Sequence, residues 1–125
     1  MGMELRVLGS SSSGNCYILD NGNEALIIEA GIRFIDVKKA LDFNIRKVVG
    51  CLITHQHNDH AKYAKAMVDC GFHVLALPEV IESKELKGSR VKAIKVGSGY
   101  LLGGFRVIPF LSLIHISEPT RRTPI

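Results

Sequence analysis

Short apolar segments separated by turn-forming residues mark the first quarter of the chain. Residues 4–8, 16–19 and 25–28 are mostly apolar, and segments rich in Gly, Ser and Asn lie between them. This pattern is typical of strands that are joined by tight turns. The chain is therefore predicted to open with a three-stranded meander.

Helical spacing begins after residue 32. Phe34, Val37 and Leu41 recur at intervals of three and four residues with charged residues between them, which is typical of an amphipathic helix. A second helical face begins at Ala61, and Gly71 is placed to end that helix. The pattern predicts helices over residues 33–43, 61–71 and 78–86, strands over residues 48–53, 72–77, 91–96 and 105–110, and a glycine-rich turn over residues 97–104.

Strands that alternate with helices after an initial meander predict an α/β fold with a mixed sheet. We expect the helices to cover one face of this sheet. The opposite face is also apolar in the predicted strands, and we expect the chain to lack a second covering layer. An uncovered apolar face predicts self-association or poor solubility.

The composition is that of an ordinary globular domain. Hydrophobic residues make up 46% of the 125 residues and charged residues 22%. No apolar segment approaches the roughly 20 residues that span a bilayer, and the N-terminus does not resemble a secretory signal. Cys16, Cys51 and Cys70 lie in apolar stretches without a C-x-x-C spacing. We therefore expect buried, reduced thiols in a cytoplasmic protein that has no membrane partner.

The net charge of +4 is a mild excess. Solvated helix faces explain most of the lysines and arginines. The alternative is a weak attraction for phosphate-rich substrates such as nucleic acid. Charge alone does not decide between the two.

Residues 54–60 carry the strongest chemical signal. Three histidines and an aspartate follow a predicted strand in the order His-x-His-x-Asp-His. Residues two apart in an extended segment point to the same side, so His55 and His57 can converge on one metal ion. Asp59 and His60 come at the start of the next helix and can reach a second ion. Imidazole and carboxylate groups are typical zinc ligands.

This motif resembles the signature of the metallo-β-lactamase superfamily at every position. The resemblance covers residues 1–110 and extends to the Ser-Gly-Asn-Cys stretch at residues 13–16, which is similar to a cytosolic, nuclease-like branch. It implies an αββα sandwich and two divalent metal ions, zinc first, with manganese and iron as alternatives. The ions would activate a water for attack on a phosphodiester, ester or amide. By this resemblance His55 and His57 bind the first ion, Asp59 and His60 bind the second, and Asp59 is the catalytic residue that orients the water.

Two features of the domain depart from the family pattern. Where the family has an aspartate at the end of the strand before the first helix, this chain has Glu29. That acid is expected to support the ligands without binding the metal, and a plain strand-end glutamate is the alternative. The family also supplies later ligands, which only His73 and His115 could match. We expect His73 to be structural, because it lies in a predicted strand, and no aspartate follows His115.

The segment 111–125 is a third departure. Its residues do not continue the pattern of strands and helices seen in residues 1–110. They resemble a string that recurs at the ends of unrelated translated sequences, as read-through of adapter DNA would produce. A native, flexible tail is the alternative. We therefore divide the chain into a partial metallo-β-lactamase domain, residues 1–110, and a tail that is non-native or disordered. The domain is then expected to be the N-terminal half of a longer sandwich.

The serine-rich loop over residues 9–15 has two interpretations. Its backbone N–H groups and hydroxyls could cradle an anion, or the loop is a tight strand connection. It is not a P-loop, because no Gly-Lys-Ser/Thr follows it.

The sequence thus predicts a metal-dependent hydrolase, with a phosphodiesterase or nuclease favoured over a β-lactamase. The alternative is a non-catalytic metal- or partner-binding fragment that retains half of the dinuclear site. The feature that separates the two is whether another His or Asp reaches the histidine loop in three dimensions.

Overall fold

A computed structural model describes residues 2–109 and the backbone of residues 114–117. Nine strands and four α-helices lie within these residues. The strands are β1 (Glu4–Ser11), β2 (Gly14–Asp20), β3 (Ala25–Ile28), β4 (Val48–Ile53), β5 (Val74–Ala76), β6 (Val91–Ala93), β7 (Tyr100–Leu102), β8 (Phe105–Pro109) and β9 (Ile114–Ser117). The helices are α1 (Phe34–Ala40), α2 (Asn58–Ala61), α3 (Ala64–Asp69) and α4 (Pro78–Ser83).

The main sheet has six strands in the order β1-β2-β3-β4-β5-β6. The first three strands are antiparallel neighbours, and β3 to β6 are parallel to one another. Parallel neighbours need crossover connections, and right-handed crossovers that advance in one direction put every helix on the same face. The predicted mixed sheet with helices on one face is confirmed.

The helices bury one face of this sheet. Ile27, Cys51 and Val74 are fully buried on that side, and Val37 of α1 and Met67 of α3 belong to the same core. Alternate strand residues point to opposite faces, so the intervening residues form a second core.

The second core is covered by a smaller sheet of β7, β8 and β9. Leu26, Leu52 and Leu75 of the main sheet are buried against Phe105 and Val107 of β8. Full burial of an aliphatic side chain of this size contributes roughly 1.5–3 kcal/mol. The expectation that the chain lacks a second covering layer is therefore wrong over the central strands.

An apolar area on the same face stays open at β1. Leu5 and Val7 are 55% and 56% exposed. Leu5 pairs with Leu19 of β2, and Leu19 pairs with Leu26 of β3, so these side chains lie on the same face of the sheet. Val7 is two residues further along β1 and lies on that face as well. The surface from which self-association was predicted is thus reduced to the edge strand.

Strand β7 lies inside the segment that was predicted to be only a glycine-rich turn. Leu102 of β7 packs on Gly50 of β4, where a Cβ atom would come within 2.9 Å of the leucine side chain. Because Gly50 has no side chain, β7 has room to pack on β4. The contact is between residues that are far apart in sequence.

The helix whose apolar face was predicted from Ala61 begins at Asn58, in agreement with the prediction that Asp59 and His60 open it, but it is divided. Asn58–Ala61 and Ala64–Asp69 are separate helices. The amide of Tyr63 donates to the carbonyl of Ala30 at 2.8 Å, which ties the division to the loop after β3. The predicted helix end is confirmed, since Gly71 has φ of +98° and its amide donates to the carbonyl of Val68.

The tail is described only in part. Strand β9 pairs with β8 in antiparallel register, with His115 opposite Ile108. Residues 111–113 and 118–125 lie outside the described residues, so the division at residue 110 stays a prediction. The described helices include none that is long and apolar enough to cross a membrane.

Candidate metal centre

The histidine loop begins where the carboxyl ends of the parallel strands β3 and β4 meet. Glu29 follows β3 directly, and Thr54 follows β4 directly. The amide of Glu29 donates to the carbonyl of Leu52 at 2.7 Å, which keeps the two strand ends together. Ligand sites of α/β proteins commonly lie at this edge of the sheet.

Glu29 is buried and directed at the loop. Its carboxylate accepts hydrogen bonds from both the amide of Thr54, at 3.0 Å, and the hydroxyl of Thr54. Its residue exposure is 5%, so it is not a surface glutamate. The backbone has φ of 68°, a left-handed conformation that costs about 1 kcal/mol or more for a residue with a Cβ atom. The fold sustains this strain to turn the carboxylate inward.

His55 is oriented by the same threonine. Its Nδ1 lies 2.6 Å from the hydroxyl oxygen of Thr54. The hydroxyl has a single proton, which it donates to the acceptor-only carboxylate of Glu29, so it accepts from Nδ1–H of His55. The hydrogen-bond network thereby assigns the proton to Nδ1 and leaves the Nε2 lone pair of His55 available to a metal.

His60 completes a group of converging ligands. Glu29, His55 and His60 each offer one ligand atom, and these atoms lie within 4.8 Å of one another. The two imidazole rings are 4.5 Å apart between centroids. Nδ1 of His60 is buried and lies 3.4 Å from the Glu29 carboxylate without being aligned for a hydrogen bond. A buried nitrogen left in this way costs about 1–3 kcal/mol, so the donor set fits a bound cation.

Asp59 lies beside His60 at the start of α2. One of its carboxylate oxygens is 3.5 Å from Nε2 of His60. The same oxygen is 3.3 Å from the side-chain amide of Asn15. With 29% of its side chain exposed, Asp59 faces both the loop and solvent.

His57 is not part of the converging group. It is exposed, and its carbonyl accepts the first hydrogen bonds of α2, from the amides of His60 and Ala61 at 2.9 Å. It lines an open cavity of about 370 Å³, together with Thr54, His55, Gln56 and Glu79. The structure therefore brings His55, Asp59 and His60 together, and the assignment of His57 as a ligand stays a prediction.

Asn15 and Thr54 contact the site although the sequence did not single them out. The side-chain amide of Asn15 donates to the carbonyl of Asp59 at 3.1 Å. The serine-rich loop before it forms a two-residue turn between β1 and β2, which agrees with the interpretation of this loop as a tight strand connection. A signal for Asn15 was present in the Ser-Gly-Asn-Cys stretch, but nothing in the sequence connected it to residue 59.

Burial disfavours the nucleophilic thiolate form of Cys16 and Cys51. Burial, reinforced by the nearby negative charge of Glu29, raises the pKa of the Cys16 thiol to about 12. Burial also raises the pKa of Cys51 well above its ordinary value. Both are free and buried as predicted, whereas Cys70 is free and only partly buried.

His73 lies at the opposite end of the parallel strands. It precedes β5 and is exposed, and its carbonyl accepts from the amide of Cys51 at 2.8 Å. It does not belong to the converging group, so it does not replace a later ligand of the family.

Comparisons with known proteins agree with this fold. The family model described as the metallo-beta-lactamase superfamily matches residues 10–69. The metallo-beta-lactamase fold protein YhfI from Bacillus subtilis superimposes with a TM-score of 0.72 at 14% identity, covering 96% of this chain and 60% of YhfI. The chemotaxis sensor ODP, solved as a peroxy diiron species, gives a TM-score of 0.69 at 14% identity, covering 94% of this chain and 55% of the sensor. The chain is a metallo-β-lactamase-fold protein, and the resemblance seen in its motif is confirmed.

One relative with a named activity matches half of this chain in sequence. The exodeoxyribonuclease YycJ of Bacillus anthracis is 35% identical over 65 residues, which are 50% of this chain and 25% of that protein. The match thus spans about a quarter of the relative's length, and the chain spans little more than half of the two solved neighbours.

Proposed function

We propose that this chain carries the metal-binding part of a hydrolase that cleaves phosphodiester bonds, with nucleic acid as the substrate class. The observation that supports this most is the convergence of Glu29, His55 and His60 at the carboxyl ends of β3 and β4. The name of the exodeoxyribonuclease relative and the net charge of +4 favour a polyanionic substrate over a β-lactam.

The chain's own residues suggest a division of roles. His55 offers Nε2, since its Nδ1 is committed to Thr54. His60 offers a ring nitrogen in the same space, and Glu29 supplies negative charge behind both imidazoles. His57 and Asp59 are the further ligands in this proposal, as the motif predicts. A bound divalent cation would lower the pKa of a water and withdraw charge from substrate oxygens.

Asp59 is the catalytic residue of the proposal. Its carboxylate is partly exposed at the mouth of the site and can accept a proton from an attacking water. The proposal also includes two bound metal ions, with zinc preferred over manganese or iron, and a cytoplasmic location.

The second candidate is a non-catalytic metal-binding fragment. It is favoured by the position of His57 outside the converging group. A site held by three donors can bind a cation without supporting hydrolysis.

One experiment separates the two candidates. Metal content by elemental analysis and cleavage of an end-labelled DNA oligonucleotide would be measured for the wild type, Asp59→Ala and His73→Ala. Because general-base catalysis contributes about 10²–10⁴-fold, we expect Asp59→Ala to be at least about 100-fold slower. His73→Ala is the matched control, a histidine at the other end of the strands, and should leave both readouts unchanged. Equal rates for the wild type and Asp59→Ala would refute the proposal that the chain is an enzyme. Bound metal without cleavage would favour the non-catalytic metal-binding fragment.

A further inference from the structure

We propose that Asn15 is a positioning residue that holds Asp59 and His60 in place for metal binding. Its effect on metal affinity rests on the proposed function, whereas its effect on the loop does not. Asn15 is 8% exposed and reaches the loop from the start of β2.

The side-chain amide of Asn15 is fully engaged. Its two N–H groups face the carbonyl of Ser11 at 2.9 Å, the carbonyl of Asp59 at 3.1 Å and the carboxylate of Asp59 at 3.3 Å. Its Oδ1 accepts from the hydroxyl of Tyr17 at 3.2 Å. The carbonyls of Ser11 and Asp59 can only accept, so they fix which end of the Asn15 amide is the NH2 group, and this donor end is directed at Asp59.

The backbone around this contact is packed without spare room. The carbonyl of Asn15 accepts from the amide of Gly31 at 2.9 Å. A Cβ atom on Gly31 would lie 2.0 Å from the carbonyl oxygen of Asp59 and 2.7 Å from the amide nitrogen of Asn15. Three chain segments, at residues 15, 31 and 59, therefore meet backbone to backbone, and the Asn15 side chain is the group that bonds the first to the third.

Helix α2 needs such support because it is only four residues long. A helix this short is not stable by its own hydrogen bonds, so its side chains are only as fixed as their tertiary contacts. The described contacts that hold it include the Asn15 amide on Asp59, the amide of Ala30, which donates to the carbonyl of His60 at 2.6 Å, and the ammonium group of Lys84, which donates to Oδ1 of Asn58 at 2.5 Å. Nε2 of His60 lies 3.5 Å from the Asn15 amide, so the same side chain also limits where that ring can turn.

The test compares Asn15→Ala and Asn15→Asp with Asn23→Ala in the full chain. Asn23 is an exposed turn residue and serves as the matched control. Hydrogen–deuterium exchange of metal-free protein should become about tenfold faster at residues 55–62 in both Asn15 variants, while residues 74–83 stay unchanged. The aspartate keeps the size of the side chain but replaces the donor by an acceptor. Cobalt(II), followed by its visible absorption, should bind Asn15→Ala about 10–100-fold more weakly than the wild type.

Unchanged exchange at residues 55–62 in both variants would overturn the proposal, and so would faster exchange throughout the chain, which would mean a general folding role. If the wild type binds no cobalt but the loop-specific exchange is observed, the positioning role stands and the proposed function fails. The two failures are therefore distinguishable.

Discussion

Two buried carboxylates lie at opposite ends of the main sheet in opposite surroundings. Asp20, at the end of β2, is 6% exposed, and its carboxylate contacts the ammonium group of Lys47 at 2.7 Å and the guanidinium group of Arg6 at 3.8 Å. Glu29, just beyond β3, is 5% exposed, and it faces Thr54 and His60. Among the described residues, no lysine or arginine pairs with Glu29.

The difference is one of charge compensation. Burial by itself would raise the pKa of Asp20, but its hydrogen bonds from Lys47 and Gly22 and the two positive charges lower it below the ordinary value. The fold thus neutralises Asp20 from within the chain. A buried charge without such a partner is costly, and proteins tolerate local violations of this kind mainly at functional sites. In the proposed function, the positive charge that compensates Glu29 would be a cation that comes from outside the chain.

The largest expected effect is on the backbone packing at the Glu29 end. Gly31→Ala introduces a Cβ atom 2.0 Å from the carbonyl oxygen of Asp59, and neither backbone segment can retreat without disturbing the site. We expect the free energy of unfolding to fall by about 3 kcal/mol and metal binding to be lost. Chemical denaturation and metal titration measure these changes. Gly99→Ala is the control, since its Cβ atom would meet only a side-chain carbon at 4.0 Å, and equal stability of the two variants would contradict the described packing.

An intermediate effect is expected at the Asp20 end. Lys47→Met removes the closest partner of the buried carboxylate, so the free energy of unfolding should fall by about 2 kcal/mol whether or not metal is present. Because the pKa of Asp20 is lowered on folding, its contribution is present above the ordinary pKa and is lost as pH falls through the folded-state pKa. The variant and the wild type should therefore converge in acid. Lys39→Met, at an exposed lysine, should change little, and a gap that persists at low pH would contradict the ion pair.

The smallest effect on the metal-free protein is expected from Glu29→Gln. This change removes the charge but keeps the size and one acceptor for Thr54, so the free energy of unfolding in chelator should change by less than about 1 kcal/mol. Affinity for zinc or cobalt should nevertheless drop by about 10–100-fold, as measured by competition with a chelating dye. Glu82→Gln, at an exposed glutamate, serves as the control. A metal-free loss as large as that of Lys47→Met would show that the two carboxylates do not differ.

Much of the main sheet was predictable because its central strands are uninterrupted apolar segments. Strands β3 and β4 have the boundaries that were predicted, and the histidine loop follows β4 as expected. The start of α2 at Asn58 also agrees with the prediction that Asp59 and His60 open a helix. These features depend on local pattern, which a single sequence records.

The parts that were missed depend on contacts between distant segments. Strand β7 needs the space above Gly50, and the contact between Asn15 and Asp59 joins residues 44 positions apart. His57 is the residue before α2 and lies outside the converging group, so its assignment as a ligand stays a prediction. Periodicity does not encode such three-dimensional relations.

The order of strands in the main sheet has a consequence for how the chain folds during synthesis. Every strand pairs with the one made just before it, so the sheet can be extended as the chain leaves the ribosome. The smaller sheet comes last, and the hydrogen bond from the amide of Gly104 to Glu24 joins residues 80 positions apart. Leu26 and Leu52 are therefore exposed from the pairing of β3 with β4 until β8 has been made. Because these apolar side chains are then uncovered, we expect the nascent chain to be open to association with other chains in this interval.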